Sequence, residues 1–275
     1  MSLVVQSNVA SMFAQNKLSG TQAALNKNFA KLASGFRIND ASDDAAGLGI
    51  SKSMNAQIKS MAVAERNAND GISMLQTADG GAEQVHGLLT RMRELAVQAS
   101  NGDLASGDYT NLDTEFQAAL GEIDRIATST QFNGISLLSG AASTKNFQVG
   151  TGTASTDRIT ISFGGADATR LAVNATDVTS FANAQTAITS IDTAIQTLST
   201  VREGYGAGMN RMSYAVSNLQ AMQTNMTSAV SRIRDVDIAS ETASMSRNQV
   251  LSQAGASILA QANQAPQLAL SLLRG

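Results

Sequence analysis

His86 is the one histidine in the chain, and cysteine is absent. Thiolate nucleophiles, thiolate metal sites and disulfides are removed together. A histidine acts as a general base only beside a nucleophile it can reach, and no triad can be spaced around His86. A place on the surface or in a groove of a helix accounts for it. Asp40, Asp43 and Asp44 cluster closely enough to suggest a cation site. An EF-hand loop needs a glycine at its sixth position and a glutamate at its twelfth, and no starting point here supplies both. Carboxylates are favoured just ahead of a helix, where they accept bonds from unpaired amides, and a helical pattern starts near Ala45. Asp43 and Asp44 are therefore read as caps. Gly47-Leu48-Gly49 has neither the preceding strand nor the following lysine of a phosphate loop and is expected to be a turn. No catalytic residue, metal site or cofactor is expected.

The elements that position these residues are helices of unusual length. Apolar residues make up 43% of the 275-residue chain, but tryptophan is absent and aromatics are only 4%. Ala, Met, Ile and Leu supply most of that apolar content, which suits a thin helix–helix seam better than an enzyme core. Charged residues are 15% and the net charge is −3, so a nucleic-acid or anionic-membrane partner is not expected. No apolar run approaches the length of a membrane span. The first twenty residues have neither the positive start nor the apolar stretch of a cleaved leader, which by that rule alone gives a cytosolic address. One proline, Pro266, leaves long stretches without a helix breaker.

From Ile50 the apolar positions run Met54, Ile58, Met61, Ala64, Ala68, Ile72, Leu75, Ala78, Ala82, Val85, Leu89, Met92, Ala96 and Ala99, always three or four apart. A helix of about 50 residues is about 75 Å long. A globule of this chain length has a radius of gyration of only about 19 Å, so a rod is expected. Asn101-Gly102 ends the run. A shorter helix follows on Tyr109, Leu112, Phe116, Ala119, Ile123 and Ile126. Residues 139–180 turn to Ser, Thr, Gly, Ala and Asp, and Ile159, Ile161 and Phe163 alternate as on a strand, giving a small β-hairpin with surface loops. The helical rhythm resumes from Ile188 to Ile233 and keeps phase through Gly204, Gly206 and Gly208, each costing about 1 kcal/mol against alanine.

The two ends are weaker versions of the same pattern. Residues 3–36 carry Val5, Val9 and Met12, then Leu18, Leu25 and Leu32 seven apart. Residues 238–273 carry Ile238, Met245, Leu251, Ile258, Leu268 and Leu272. Isolated helices of this quality are marginal in water, so the ends are expected to order only when packed against other copies. The fold class expected is mainly α: an elongated antiparallel helical bundle or coiled coil with a small β-hairpin region and paired terminal helices. Its division is 1–40 with 236–275, then 41–138 with 181–235, and 139–180.

Three strings resemble the flagellin family. The first is Leu32-Ala-Ser-Gly-Phe-Arg-Ile-Asn-Asp-Ala-Ser-Asp-Asp-Ala-Ala-Gly-Leu-Gly-Ile-Ser51, which looks like that family's spoke between inner and outer rod. The second is Arg93-Glu-Leu-Ala-Val-Gln98 with Thr130-Gln-Phe-Asn-Gly-Ile-Ser-Leu-Leu138. The third is Met245-Ser-Arg-Asn-Gln-Val-Leu-Ser-Gln-Ala-Gly-Ala-Ser-Ile-Leu-Ala-Gln-Ala-Asn-Gln264, closing with Leu-Ser-Leu-Leu-Arg274. The resemblance covers about residues 1–140 and 180–275.

It implies a short flagellin without large outer domains, a non-enzymatic subunit that polymerises into a motility filament. Its terminal domain forms the filament core, and its rod domain consists of long helices. Export through the flagellar type III channel needs no cleaved leader, which replaces the cytosolic address with a secreted, extracellular one. Implied partners are other copies of the chain, the flagellar cap, hook-junction proteins and an export chaperone on the C-terminal helix.

The terminal positions Val5, Val9, Leu18, Leu25, Leu32, Leu251, Ile258, Leu268 and Leu272 are then expected to pack between subunits. Arg37, Asn39, Asp40, Asp43 and Asp44 are expected to form the spoke, with Arg37 paired to a neighbouring subunit. Arg91, Glu94 and Leu95 match the patch read by the animal Toll-like receptor for flagellins; Thr90 and Ala119 depart from it, where members that are sensed carry Gln and Arg. Serines and threonines in 139–180 match both an O-glycosylated and an ordinary solvated loop. Two alternatives stand beside this expectation, a hook–filament junction protein and a non-polymerising secreted coiled-coil protein.

Overall fold

Four of the helices begin where a short polar side chain takes up an orphan amide. Asn8 Oδ1 accepts from Ser11 N (3.0 Å), Asp44 Oδ1 from Gly47 N (2.8 Å), Ser180 Oγ from Asn183 N (3.2 Å) and Asp237 Oδ1 from Ala239 N (3.0 Å). A computed structural model describes residues 7–274, with side chains through residue 264. Helix α1 spans Val9–Ser34, α2 Ala45–Ala99, α3 Ser106–Ser129, α4 Phe181–Arg234 and α5 Ile238–Arg274. The strands are β1 Gln131–Phe132, β2 Ile135–Ser136, β3 Ser143–Gln148 and β4 Arg158–Phe163. The mainly α class with a small β part is as expected.

The chain divides into two compact units, residues 1–56 with 225–275 and residues 57–224. In the first, α1 and α5 pair antiparallel. Asn8 reaches Ala262, Leu18 lies against Gly255, and Asn28 meets Glu241. Helix α1 stops at Gly35, whose φ of 74° is left-handed and whose amide closes on Lys31 O at 2.9 Å. The turn that follows is tied to residues 233–236 by an antiparallel bridge between Phe36 and Asp235.

In the second unit α2 and α4 run antiparallel. Gln220 Nε2 donates to Glu65 (2.7 Å), Gly71 faces Met212, Gly208 faces Leu75, Arg202 Nε donates to Asp79 (2.8 Å), and Arg93 Nε donates to Asp192 (2.7 Å). Leu75, Leu89, Met92 and Leu95 of α2, Phe116 and Ile123 of α3, and Ile191, Leu198 and Tyr205 of α4 make one buried cluster. Helix α4 continues through Gly204, Gly206 and Gly208, because Tyr205 between them is fully buried and holds the segment to the core. Strands β3 and β4 pair from Ser143↔Phe163 to Gln148↔Arg158, and β4 buries Ile159, Ile161 and Phe163 while exposing its alternate residues.

Three expectations are corrected. Gly47-Leu48-Gly49 is not a turn: Asp44 starts α2 earlier, and these residues form its first turn. Ile50, placed on the apolar seam, is half exposed. The stretch after β4 is not a surface loop. Ala166, Ala168, Leu171, Val173 and Val178 are buried, because carboxylates on α3 satisfy the strap's amides, Asp124 taking Ala168 N (2.8 Å) and Asp113 taking Val178 N (3.0 Å).

Candidate assembly face

The terminal helix pair leaves several large apolar side chains exposed. On α1, Val9 and Phe13 are 69% and 65% exposed, with Met12 beside them; on α5, Leu251 and Ile258 are 50% and 56% exposed, with Ile238 and Val250. On α1, Ala14, Leu25 and Asn28 are buried and Leu18 and Leu32 half-buried; on α5 the half-buried side chains are mostly small or polar, with Met245 and Leu259 the larger apolar members. An ordinary amphipathic pair hides its large apolar groups and shows its polar ones. This pair does so only in part: α1 hides Leu18, Leu25 and Leu32 but leaves Val9, Met12, Phe13 and Phe29 exposed, and α5 hides Met245 and Leu259 but leaves Val250, Leu251 and Ile258 exposed. Exposed contiguous apolar surface of that kind marks an interaction face.

The expected packing residues therefore fall into two groups. Val9, Leu251 and Ile258 are free to meet another molecule. Leu25 is buried, and Leu18 and Leu32 are half-buried, with Leu18 against Gly255 of the same chain. The heptad spacing fixed their helix face but not which partner it meets. Val5 lies outside the described residues, as do the side chains of Leu268 and Leu272.

The spoke residues form a turn rather than a cation site. Asp43 Oδ2 accepts from the amides of Asn39 (3.1 Å) and Asp40 (3.3 Å), and Lys27 stands 3.9 Å from its other oxygen. These bonds to the charged form, the Asn39 amide first, hold the Asp43 carboxyl below its ordinary value, aided by Lys31 and Lys27 and opposed by burial. Asp44 alone caps α2, so the expectation that both carboxylates cap it holds for one of them. Arg37 is exposed and tied to the chain at two points: Nη2 donates to Ile233 O and the backbone amide to Arg234 O, both 2.6 Å. Arg234 in turn lies 3.9 Å over the Phe36 ring.

In the second unit Arg91 is exposed and pairs with Glu94 (2.9 Å) and Glu115 (2.7 Å). Leu95, expected in the same patch, is 1% exposed and belongs to the core, so no receptor reaches it in this conformation. A shallow hollow of about 410 Å³ is lined by Thr90, Arg93, Glu94, Val97 and Gln98. His86 is half-buried, and its Nδ1 is buried without a hydrogen-bond partner. Among the described residues no group of three His, Asp or Glu side chains is placed to hold a metal, and no helix is long and apolar enough to cross a membrane.

The β1–β2 hairpin went unnoticed in the sequence. Its signal was the Asn133-Gly134 dipeptide, both at positive φ (49° and 75°), the pair a two-residue hairpin loop demands.

The family model described as bacterial flagellin N-terminal helical region matches residues 5–143, and that described as bacterial flagellin C-terminal helical region matches residues 188–273. The chain is 42% identical to a flagellin of Halalkalibacterium halodurans over 99% of this chain and 100% of that one. It is 41% identical to a flagellin of Bacillus subtilis over 98% and 99%. The crystal structure of Bacillus cereus flagellin aligns with a TM-score of 0.50 at 33% identity, covering 60% of this chain and 94% of that one. With matches at both ends of the chain and full-length relatives above two-fifths identity, the chain belongs to the bacterial flagellin family.

Proposed function

We infer that α1 and α5 are the surfaces through which copies of this chain join, each outward apolar stripe being covered by neighbouring subunits. The chain is a structural subunit of the flagellar filament, exported and assembled outside the cell. The observation that carries the reading is the exposure of Val9, Met12, Phe13, Val250, Leu251 and Ile258 on the paired terminal helices. Full burial of one such side chain is worth roughly 1.5–3 kcal/mol. A contact repeated head to tail, which does not close on itself, builds a filament instead of an oligomer.

No catalysis is assigned to the chain; its work is polymerisation. The spoke turn of Arg37, Asn39, Asp40, Asp43 and Asp44 holds the two chain segments beside each other so that both stripes are presented together. The flagellar cap and hook-junction proteins meet the same faces at the filament's tip and base, and an export chaperone covers α5 beforehand. A Toll-like receptor would read Arg91 and Glu94 but not Leu95.

Seeding tests the reading. Purified chain added to sheared filament fragments should extend them to micrometre length. The same chain lacking Val250–Gly275 should stay helical and fail to extend. Filaments grown by the truncated chain would overturn it.

A further inference from the structure

We propose that Met12 is a reversible oxidation site that controls assembly: peroxide converts its thioether to the sulfoxide in a free subunit, and the sulfoxide keeps that subunit out of the filament. The inference rests on the reading above that α1 meets another copy of the chain.

Cysteine, whose thiolate outcompetes a thioether for peroxide, is absent, so methionine sulfur is the group that a two-electron oxidant finds in this chain. Which methionine reacts then follows exposure. Met61, Met74, Met92 and Met212 are buried, Met212 with its sulfur against Gly71, and Met54, Met209, Met226 and Met245 are half-buried. Among the described residues only Met12, at 67%, and Met222, at 43%, are exposed.

Position separates these two. Met222 lies on α4, outside the two helices read as the assembly face. Met12 lies within that face. Val9, Met12 and Phe13 are spaced so that the second and third stand three and four residues on from the first, on one side of α1, and all three are exposed. Separating α1 from α5 would only bare the thioether further, so its reach by a small oxidant does not depend on how the free chain packs its ends.

The step needs one reagent. The sulfur takes an oxygen from hydrogen peroxide: an S–O bond forms, the O–O bond breaks, the sulfur gives up two electrons, and the second oxygen leaves as water. A flexible apolar side chain becomes polar and chiral. On a free subunit the new oxygen is solvated. Where apolar stripes meet between subunits it loses that water, and the penalty falls on the assembled state alone. Because Met12 is on the surface, the fold of the free chain is not disturbed. Methionine sulfoxide reductases reverse the step, a dithiol supplying two electrons while the oxygen leaves as water. Once a subunit is incorporated its neighbours shield the sulfur, so peroxide stops growth and leaves existing filament intact.

The test uses the parent chain. Peroxide treatment is stopped when about half of Met12 is sulfoxide, and the mixture is offered to sheared filament seeds. Peptide mass spectrometry then reads positions 12 and 222 in sedimented filament and in the supernatant. Sulfoxide at 12 should be at least about tenfold rarer in the filament, whereas sulfoxide at 222 should be equal in both fractions. Both reductases, one for each sulfoxide epimer, with dithiothreitol should restore entry. Seed extension by fully treated chain, divided by the same chain's rate before treatment, should fall at least about tenfold for the parent and for Met222→Leu but less than about twofold for Met12→Leu. Circular dichroism should show the same helicity before and after treatment.

Equal sulfoxide fractions at 12 in filament and supernatant would overturn the proposal, as would oxidation of Met12 no faster than that of buried Met92. The fractionation needs no substitution, so it decides the matter even where Met12→Leu assembles poorly. If untreated parent fails to extend seeds, the assembly reading falls and the oxidation inference with it; if it extends them and the sulfoxide enters freely, the oxidation inference alone falls.

Discussion

Gly208 of α4 lies so close to Ile161 of β4 that a Cβ there would stand 2.7 Å from the isoleucine Cδ1 and 3.2 Å from Leu75 Cδ1. Four residues earlier, Gly204 has nothing within 4 Å of that point. The two glycines thus predict opposite signs in one helix. Gly208→Ala overpacks a buried contact and should cost about 1–3 kcal/mol, whereas Gly204→Ala relieves a helical glycine in open space and should gain about 0.5–1 kcal/mol. Urea unfolding of the two variants checks this; equal shifts would mean that the hairpin does not press on α4 at that point.

Tyr205 sits against Phe163, ring centroids 5.7 Å apart, and its hydroxyl reaches Gly164 O at 3.4 Å. Burial pushes its phenol up to about 12, against the weaker pull of the Gly164 bond. A raised value means the folded chain favours the protonated phenol. Its contribution is complete below the unfolded value of about 10 and is lost as the pH rises from there through about 12. Alkaline unfolding followed by circular dichroism should have a component in that window that Tyr205→Phe removes.

Asp43 works in the other direction. Its lowered value means a contribution present above the ordinary carboxylate range and lost as the pH falls through the folded value below it. Carboxyl NMR should find Asp43 titrating below 3.8, with the amides of Asn39 and Asp40 moving together with it. Asp43→Asn should weaken that coupling and loosen the turn; titration of Asp43 at or above the ordinary value would contradict the hydrogen bonds assigned to it.

The strap after β4 hangs on carboxylates of α3. Asp124→Ala leaves the buried Ala168 amide without its partner and should cost about 1–3 kcal/mol. Hydrogen exchange should quicken across residues 166–178 while α1 and α5 keep their rates.

What could be read beforehand follows from physics acting at short range. Spacing of three and four placed α2 and α4 with little error, because every contact of a long helix seam repeats along one face. The same rule put Leu25 on a seam but could not tell an α5 of the same chain from another copy, since both would present a helix. Leu95 was legible as a helical position and not as a core residue, because its burial depends on α3 and on chain more than 80 residues away. The strap escaped notice for a related reason. Its Ala, Val and Leu are scattered among Thr, Asp and Gly, and only Asp113 and Asp124, 65 and 44 residues upstream of the amides they hold, reveal that it is packed down.

The central claim is that side chains left wet on the isolated terminal helices become dry between subunits. Covalent footprinting of Val9, Phe13, Leu251 and Ile258, read by mass spectrometry in free chain and in seeded filaments, tests it directly. Strong labelling when free and at least about tenfold less in the filament is the expected result. Equal labelling in both states would show that these stripes do not join the copies.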